Sequence, residues 1–133
     1  MNRTGNERTG NQLMVIPVAA ATVLTENTIA AVNDAGYAVP GAKAEGLTCA
    51  GRVQKLADNS AGEAGAVTVE VKRGVFVWDN DGTIEATDLL KTCYMAGPQS
   101  VTITATGASP AGVILAVDED GVTVEMFNAV AGD

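Results

Sequence analysis

The stretch that decides the fold is Ala66-Val67-Thr68-Val69-Glu70-Val71-Lys72-Arg73-Gly74-Val75-Phe76-Val77-Trp78, closed by Asp79-Asn80-Asp81-Gly82. Its valines share one parity, so a β-strand would point all of them to one buried face, while Thr68, Glu70 and Lys72 would point to the other. Beyond Gly74 that second face becomes apolar as well. The pattern predicts a strand that starts over solvent and ends covered by another layer or another subunit, with the glycine marking a bulge or a close approach.

The two aromatic residues of this stretch, Phe76 and Trp78, are candidate interface residues because they stand where the solvent face of the strand should be. A buried aromatic pair at an interface contributes strongly to association. If Trp78 instead belongs to the core, its truncation would mainly lower folding stability. The sequence leaves both interpretations open.

Composition predicts one domain with a core of small side chains. The chain has 133 residues, of which 47% are apolar but only 4% are aromatic. Alanine and valine bury less area per side chain than leucine or phenylalanine do, so association would supply additional burial.

Charge excludes two classes of partner. The chain carries 16 acidic and 8 basic residues, for a formal charge of −8. Phosphate backbones and anionic membranes would repel it. No apolar run approaches the roughly 18 residues of a membrane span. We therefore expect neither a nucleic-acid nor a membrane partner.

The cysteines and the first apolar run both bear on the cellular compartment. Cys49 and Cys93 fit no zinc or disulfide pattern, which predicts two buried apolar side chains in strands and a reducing compartment. Two arginines precede the run 13–24, and Ala19-Ala20-Ala21 imitates a signal-peptidase site. Pro17 splits that run and Glu7 precedes it, so we interpret it as a first strand, with the proline favouring a sheet edge.

Residues 1–12 are predicted to be a flexible N-terminal arm, and residues 13–133 a single β domain. The arm repeats Arg3-Thr4-Gly5-Asn6 as Arg8-Thr9-Gly10-Asn11 and has no apolar residue after Met1. It is either a disordered tail or a segment that becomes ordered on a partner, with Arg3 and Arg8 as its interface residues.

Short candidate strands follow one another along the rest of the chain. They lie at residues 15–21, 28–32, 36–39, 47–56, 66–78, 92–95, 101–106, 112–117 and 122–127. Hairpins are predicted across 33–36 and 118–121, a loop at 57–65, and one helical turn within 84–90 that Thr87 or Asp88 could cap. The fold class is therefore all-β, a small β-sandwich or β-barrel with at most one helical turn.

The sequence offers little catalytic chemistry. It contains no histidine, so the common nucleophile–imidazole pairs are excluded. Acidic clusters at Asp79/Asp81 and Asp118/Glu119/Asp120 could serve acid–base chemistry or calcium binding, but each ends in a glycine at a strand junction, as a solvated turn does. The calcium-loop pattern also fails at Val77. We expect no catalytic residue, no cofactor and no metal.

The order of these pieces resembles the small capsid decoration, or cement, proteins of tailed bacteriophages and prophages. The resemblance covers about residues 17–127 and is carried by Asn33-Asp34-Ala35-Gly36-Tyr37-Ala38-Val39-Pro40, Gly51-Arg52-Val53, Val67-Thr68-Val69-Glu70-Val71, Gly74-Val75-Phe76, Thr87-Asp88-Leu89-Leu90-Lys91-Thr92-Cys93-Tyr94 and Gly112-Val113-Ile114-Leu115-Ala116-Val117-Asp118. The chain departs from the family at Leu90, where glycine is usual, and in its N-terminal repeat.

The resemblance implies a non-enzymatic protein, made in the bacterial host cytoplasm, that binds the outer surface of the virion capsid. It implies a homodimer or homotrimer whose partner is the major capsid protein. An acidic chain suits the outside of a DNA-filled capsid.

A second hypothesis is a secreted or surface β-domain that binds glycan or a receptor through Trp78, Tyr37 and the acidic loops. A disulfide between Cys49 and Cys93 would be expected in an oxidising compartment. An uncharacterised enzyme is a third hypothesis.

Overall fold

The computed structural model describes residues 13–126, which form short β-strands and one 3-10 turn, Ala86–Asp88. The prediction of an all-β fold is confirmed. The strands are β1 (Leu13–Pro17), β2 (Thr22–Leu24), β3 (Ile29–Val32), β4 (Ala38–Pro40), β5 (Thr48–Val53), β6 (Ala57–Asn59), β7 (Thr68–Lys72), β8 (Val75–Asn80), β9 (Thr92–Met95), β10 (Ser100–Thr102), β11 (Pro110–Asp118) and β12 (Gly121–Glu125). No helix in this part of the chain is long and apolar enough to cross a membrane.

The first half of the fold is a five-stranded antiparallel sheet in the order β1-β7-β5-β3-β4. β1 lies at its edge, where a proline without an N–H is tolerated, as Pro17 predicts. Just after β1, Val18 forms a parallel bridge with Ala38 of β4. The sheet therefore curves until its two edges meet.

The second half is a closed five-stranded barrel in the order β10-β8-β12-β11-β9. Its pairs are antiparallel except β8 with β10, which run parallel. The predicted hairpin at 118–121 joins β11 to β12, and a bulge shifts their register between Ile114 and Ala116. Closure removes the unpaired strand edges of this sheet.

Two apolar cores result, one inside the barrel and one inside the curved sheet. Side chains alternate along a strand, so consecutive residues of β3 serve different cores: Ala30 joins the sheet core and Ala31 the barrel core. β3 is thus buried on both faces and lies between the two halves. Leu24 of β2 and Ala57 of β6 complete the sheet core.

The organising stretch is divided at Arg73-Gly74, where the chain leaves the curved sheet and enters the barrel as β8. One prediction for it is confirmed: the face that is exposed at Thr68, Glu70 and Lys72 becomes covered, with Trp78 buried. The expectation that all its valines are buried is wrong, because Val75 and Val77 are 46% and 53% exposed. The face that lines the sheet core in β7 becomes the outside of the barrel in β8.

The predicted hairpin across 33–36 is confirmed by the pairing of β3 with β4. Asn33 Oδ1 accepts hydrogen bonds from the N–H groups of Ala35 and Tyr37, both at 3.0 Å. Gly36 has a φ of 91°. An Asx turn with a left-handed glycine is the geometry that this sequence pattern favours.

The predicted loop 57–65 is wrong at its start, because Ala57–Asn59 forms β6 and pairs with the unpredicted strand β2. Strands of three residues are too short to show alternation in the sequence. The buried Asn59 side chain donates to the carbonyls of Ala19 and Glu63, both at 2.9 Å. It thereby ties the remainder of the loop to the segment after β1.

The predicted helical turn within 84–90 is present, but neither residue named for its cap occupies the cap position. Glu85 precedes the turn as its N-cap residue. Asp88, at the end of the turn, accepts the Glu85 N–H at 2.8 Å and pairs with Lys91 at 3.0 Å. Its carboxylate therefore caps the N-terminal end of the turn as the N3 residue of a capping box with Glu85, so Asp88 does contribute to the cap.

Candidate interaction surface

The predicted interface residues lie in three different environments. Arg3 and Arg8 fall outside the described residues. Trp78 is 5% exposed, belongs to the barrel core and donates its indole N–H to Met126 Sδ at 3.2 Å. Of the two interpretations that the sequence left open for Trp78, the structure supports the second, a core residue.

Phe76 is half-buried at the junction of the sheet and the barrel. The Arg52 guanidinium, from β5 of the sheet, lies over its ring with Cζ 4.5 Å from the centroid. The ring centroid is also 6.2 Å from that of Trp78. Arg52 donates to Gln54 Oε1 at 2.9 Å, which orients the guanidinium. Cation–π and aromatic contacts therefore join the two halves through Phe76.

Strand register defines an apolar surface on the outside of the barrel. In the first row across it, Val75 pairs with Glu125, and Glu125 with Val113. In the second row, Val77 pairs with Thr123, and Thr123 with Ala116. Leu115 is 39% exposed in the adjoining bulge. We call the surface formed by Val75, Val77, Val113, Leu115 and Leu90 the outer barrel face.

Leu90 extends this face beyond β11. Its N–H donates to the Ile114 carbonyl at 2.7 Å, and the Ile114 N–H donates to the Lys91 carbonyl at 3.0 Å. Both bonds go to Ile114, so Leu90 and Lys91 together lie opposite this one residue as a bulge, next to the pair of Thr92 with Val113. The Leu90 side chain is 74% exposed.

The backbone of Leu90 is strained. Its φ of 67° lies in the left-handed region, which costs an L-residue about 1–2 kcal/mol. Glycine would occupy it without that cost. The left-handed backbone lets the Leu90 N–H reach the Ile114 carbonyl, while the side chain stays exposed beside β11.

One border of the outer barrel face is acidic. Asp79 is the next outward residue after Val77 on β8, and Asp118 ends β11. Asp118, Glu119 and Asp120 are all exposed in the turn before β12. Gly121 has a φ of 135°, and a Cβ there would collide with the Trp78 carbonyl oxygen. That glycine thus allows the hairpin to lie against β8.

Both predicted acidic clusters lie where a strand ends and a turn begins, with Asp79 on β8 and Asp118 at the end of β11. The N–H of Gly82 donates to Asn80 Oδ1 at 2.8 Å, and that of Thr83 to Asp81 Oδ1 at 3.1 Å. In the second cluster, the Asp120 N–H donates to Asp118 Oδ1 at 2.9 Å. Among residues 13–126, no group of three or more cysteine, aspartate or glutamate side chains is placed to hold a metal ion.

The cysteines are free and buried in β5 and β9, as predicted. Burial raises the pKa of Cys49 and of Cys93 to about 12. Both are therefore neutral thiols at physiological pH, whereas the thiolate is the nucleophilic form of cysteine.

Comparison with known proteins adds no relative to this description. No protein-family model, no curated protein and no solved structure matches the chain. The role of the outer barrel face therefore has to be inferred from its own chemistry: exposed aliphatic side chains, an acidic border and a strained leucine.

Sequence reasoning missed Val75 and Val77 as surface residues. The available signal was the change at Gly74, where aromatic residues appear on the previously polar parity of the strand. If that parity becomes buried, the valines of the other parity can become exposed. The outer barrel face thus lies on the opposite side of β8 from Phe76 and Trp78, the aromatic residues predicted for an interface.

Proposed function

We propose that this protein is a phage head decoration, or cement, protein. It binds the outer surface of the assembled capsid as a homo-oligomer and stabilises contacts between major capsid subunits. The observation that carries the proposal is the outer barrel face, where Val75, Val77 and Leu90 are exposed on one side of a closed barrel. Contiguous exposed apolar surface marks sites of protein association.

The geometry of this face favours a broad contact between surfaces. Side chains stand roughly perpendicular to the barrel wall, and the closed barrel offers no unpaired edge to which a partner strand could add. Burial of the face would contribute roughly 25 cal/mol for each Å² of apolar area removed from water. If the complementary surface forms only when capsid subunits assemble, this protein binds the capsid and not its separate subunits.

The remaining support comes from the chain's chemistry. Its excess of acidic residues suits the outside of a particle filled with DNA. Its cysteines are neutral and it contains no histidine, so a thiol–imidazole or hydroxyl–imidazole pair is not available to it. The ordered motifs that resemble decoration proteins span both the sheet and the barrel.

The hypothesis of a glycan- or receptor-binding domain gains no support from the structure. Trp78, the largest aromatic residue assigned to that site, lies inside the barrel. Tyr37 is half-buried at the hairpin between β3 and β4, in the other half of the fold. The two residues therefore do not form a shared aromatic surface.

The proposal is tested with capsids from a phage whose gene for this protein has been deleted. Purified protein is added back, and DNA release is followed during heating and after osmotic shock. Because a ligand that binds only the assembled state stabilises it, restored particles should release DNA at a higher temperature than bare ones. An unrelated protein of similar size and charge is the control. Equal survival of bare and restored particles would overturn the proposal.

A further inference from the structure

The outer barrel face changes from apolar to acidic in one direction along its strands. Outward positions of β8 read Val75, Val77 and then Asp79. On β11 the change runs from Val113 through Leu115 to Asp118. The two strands flank β12, so the carboxylates form a border across the barrel rather than an isolated charge.

The border carboxylates have no ion-pair partner among residues 13–126. No lysine or arginine takes an outward position in the rows that contain Val75 and Val77. Lys91, beside Leu90, is already paired with Asp88 at 3.0 Å. A partner that covers the apolar rows therefore comes close to carboxylates that no basic side chain within residues 13–126 pairs with.

A second copy of this chain is a poor occupant of the face. In a face-to-face dimer the two-fold axis lies in the plane of the contact. If the axis runs along the rows, the strands of the two copies point in opposite directions. The acidic border of one copy then lies over the Val75–Glu125 row of the other. With the axis along the strands, the two acidic borders meet each other. Like charges placed opposite each other in an interface disfavour association in both cases.

From this pattern we infer that the occupant is a protein surface that is apolar in its middle and carries lysine or arginine side chains along one border. The basic side chains meet Asp79 and Asp118 while aliphatic side chains cover Val75, Val77 and Leu90. This inference rests on the proposed function, in which the surface belongs to the major capsid protein. It assigns the outer barrel face to capsid binding and leaves self-association to another surface.

The test compares two variants of the full chain that remove the same number of negative charges. Asp79→Asn/Asp118→Asn/Glu119→Gln removes three of the four border charges and leaves Asp120, and Asn at position 118 retains the oxygen that accepts the Asp120 N–H. The control, Glu26→Gln/Asp34→Asn/Glu63→Gln, neutralises exposed carboxylates in the curved-sheet half. Association with capsids that lack the protein is measured at roughly 0.1 M and roughly 1 M salt, where the Debye length is about 10 Å and about 3 Å.

The border variant should associate about tenfold more slowly than the wild type at the lower salt concentration, and this difference should shrink at the higher one. The control variant should stay within about twofold of the wild type, since steering depends on charges near the contact. Equal effects of the two variants, or no effect of the border variant, would overturn this inference and leave the proposed function intact. Failure of the wild type to bind would overturn both.

Discussion

At the scale of single residues, the role of Trp78 depends on which layer covers it. Its indole N–H donates to Met126 Sδ, and its ring lies near Phe76, itself covered by Arg52. Trp78 therefore packs within the barrel and next to the contact between the two halves. Removing it would leave a cavity where the fold has few other large side chains, since aromatic residues make up only 4% of the chain.

We predict that Trp78→Ala lowers the free energy of unfolding by about 3–5 kcal/mol, the usual cost of truncating a buried aromatic residue. Urea denaturation of the wild type and the variant measures the loss. Val77→Ala, an exposed neighbour on the same strand, is the control and should cost less than about 1 kcal/mol. If Trp78→Ala instead shifted the sedimentation coefficient toward monomer with stability unchanged, Trp78 would be an interface residue after all.

At the scale of elements, β8 carries two surfaces with different roles. Trp78 on one side belongs to the barrel core, while Val75 and Val77 on the other side are open to solvent. A charge introduced at an exposed position has little effect on the core but opposes burial by a partner. The two sides can thus be tested separately.

We predict that Val77→Asp weakens binding to bare capsids by about tenfold or more, as expected for a residue near the middle of an interface. Its melting temperature should stay close to that of Val23→Asp, the matched control. Val23 is also an exposed strand valine, at 39%, but lies on β2 in the other half. Sedimentation of capsids with each variant measures binding. Equal binding by the two variants would remove the outer barrel face from the interface.

At the scale of the whole molecule, the described domain and the N-terminal arm are expected to contribute separately. The two core clusters of the described residues are built from side chains between Ile16 and Met126. The arm contains Arg3 and Arg8 against Glu7 and is net positive, in a chain whose formal charge is −8. Its arginines could pair with carboxylates of an adjoining capsid subunit.

We predict that deleting residues 2–12 leaves the protein folded and oligomeric but weakens its binding to capsids. The loss should be smaller at high salt, because screening already weakens the charged contacts of the full-length protein. Titration of bare capsids at two salt concentrations measures the difference. Arg3→Gln/Arg8→Gln in the full-length chain separates the effect of charge from that of length. Indistinguishable affinities would mean that the arm is only a solvated tail.

The sequence by itself determined the local structure wherever a pattern depends on neighbours in the chain. Alternation in β7 predicted a strand with one buried face, and Asn33 and Gly36 predicted a hairpin whose turn needs their backbone geometry. The burial of Cys49 and Cys93 as free thiols was predicted from their small apolar side chains. The left-handed φ of Leu90 did not follow from neighbouring residues, because its N–H bonds to Ile114, which is distant in the chain.

Only the tertiary structure decided which face of a strand is covered. Alternation shows which side chains lie together, but the layer opposite them comes from distant parts of the chain. The valine face of β7 lines the sheet core, while the corresponding face of β8, past the corner at Gly74, lies on the outside of the barrel. Trp78 became a core residue and Val77 a surface residue for this reason: β8 pairs with β12, more than forty residues later, and those partners close the barrel around the tryptophan.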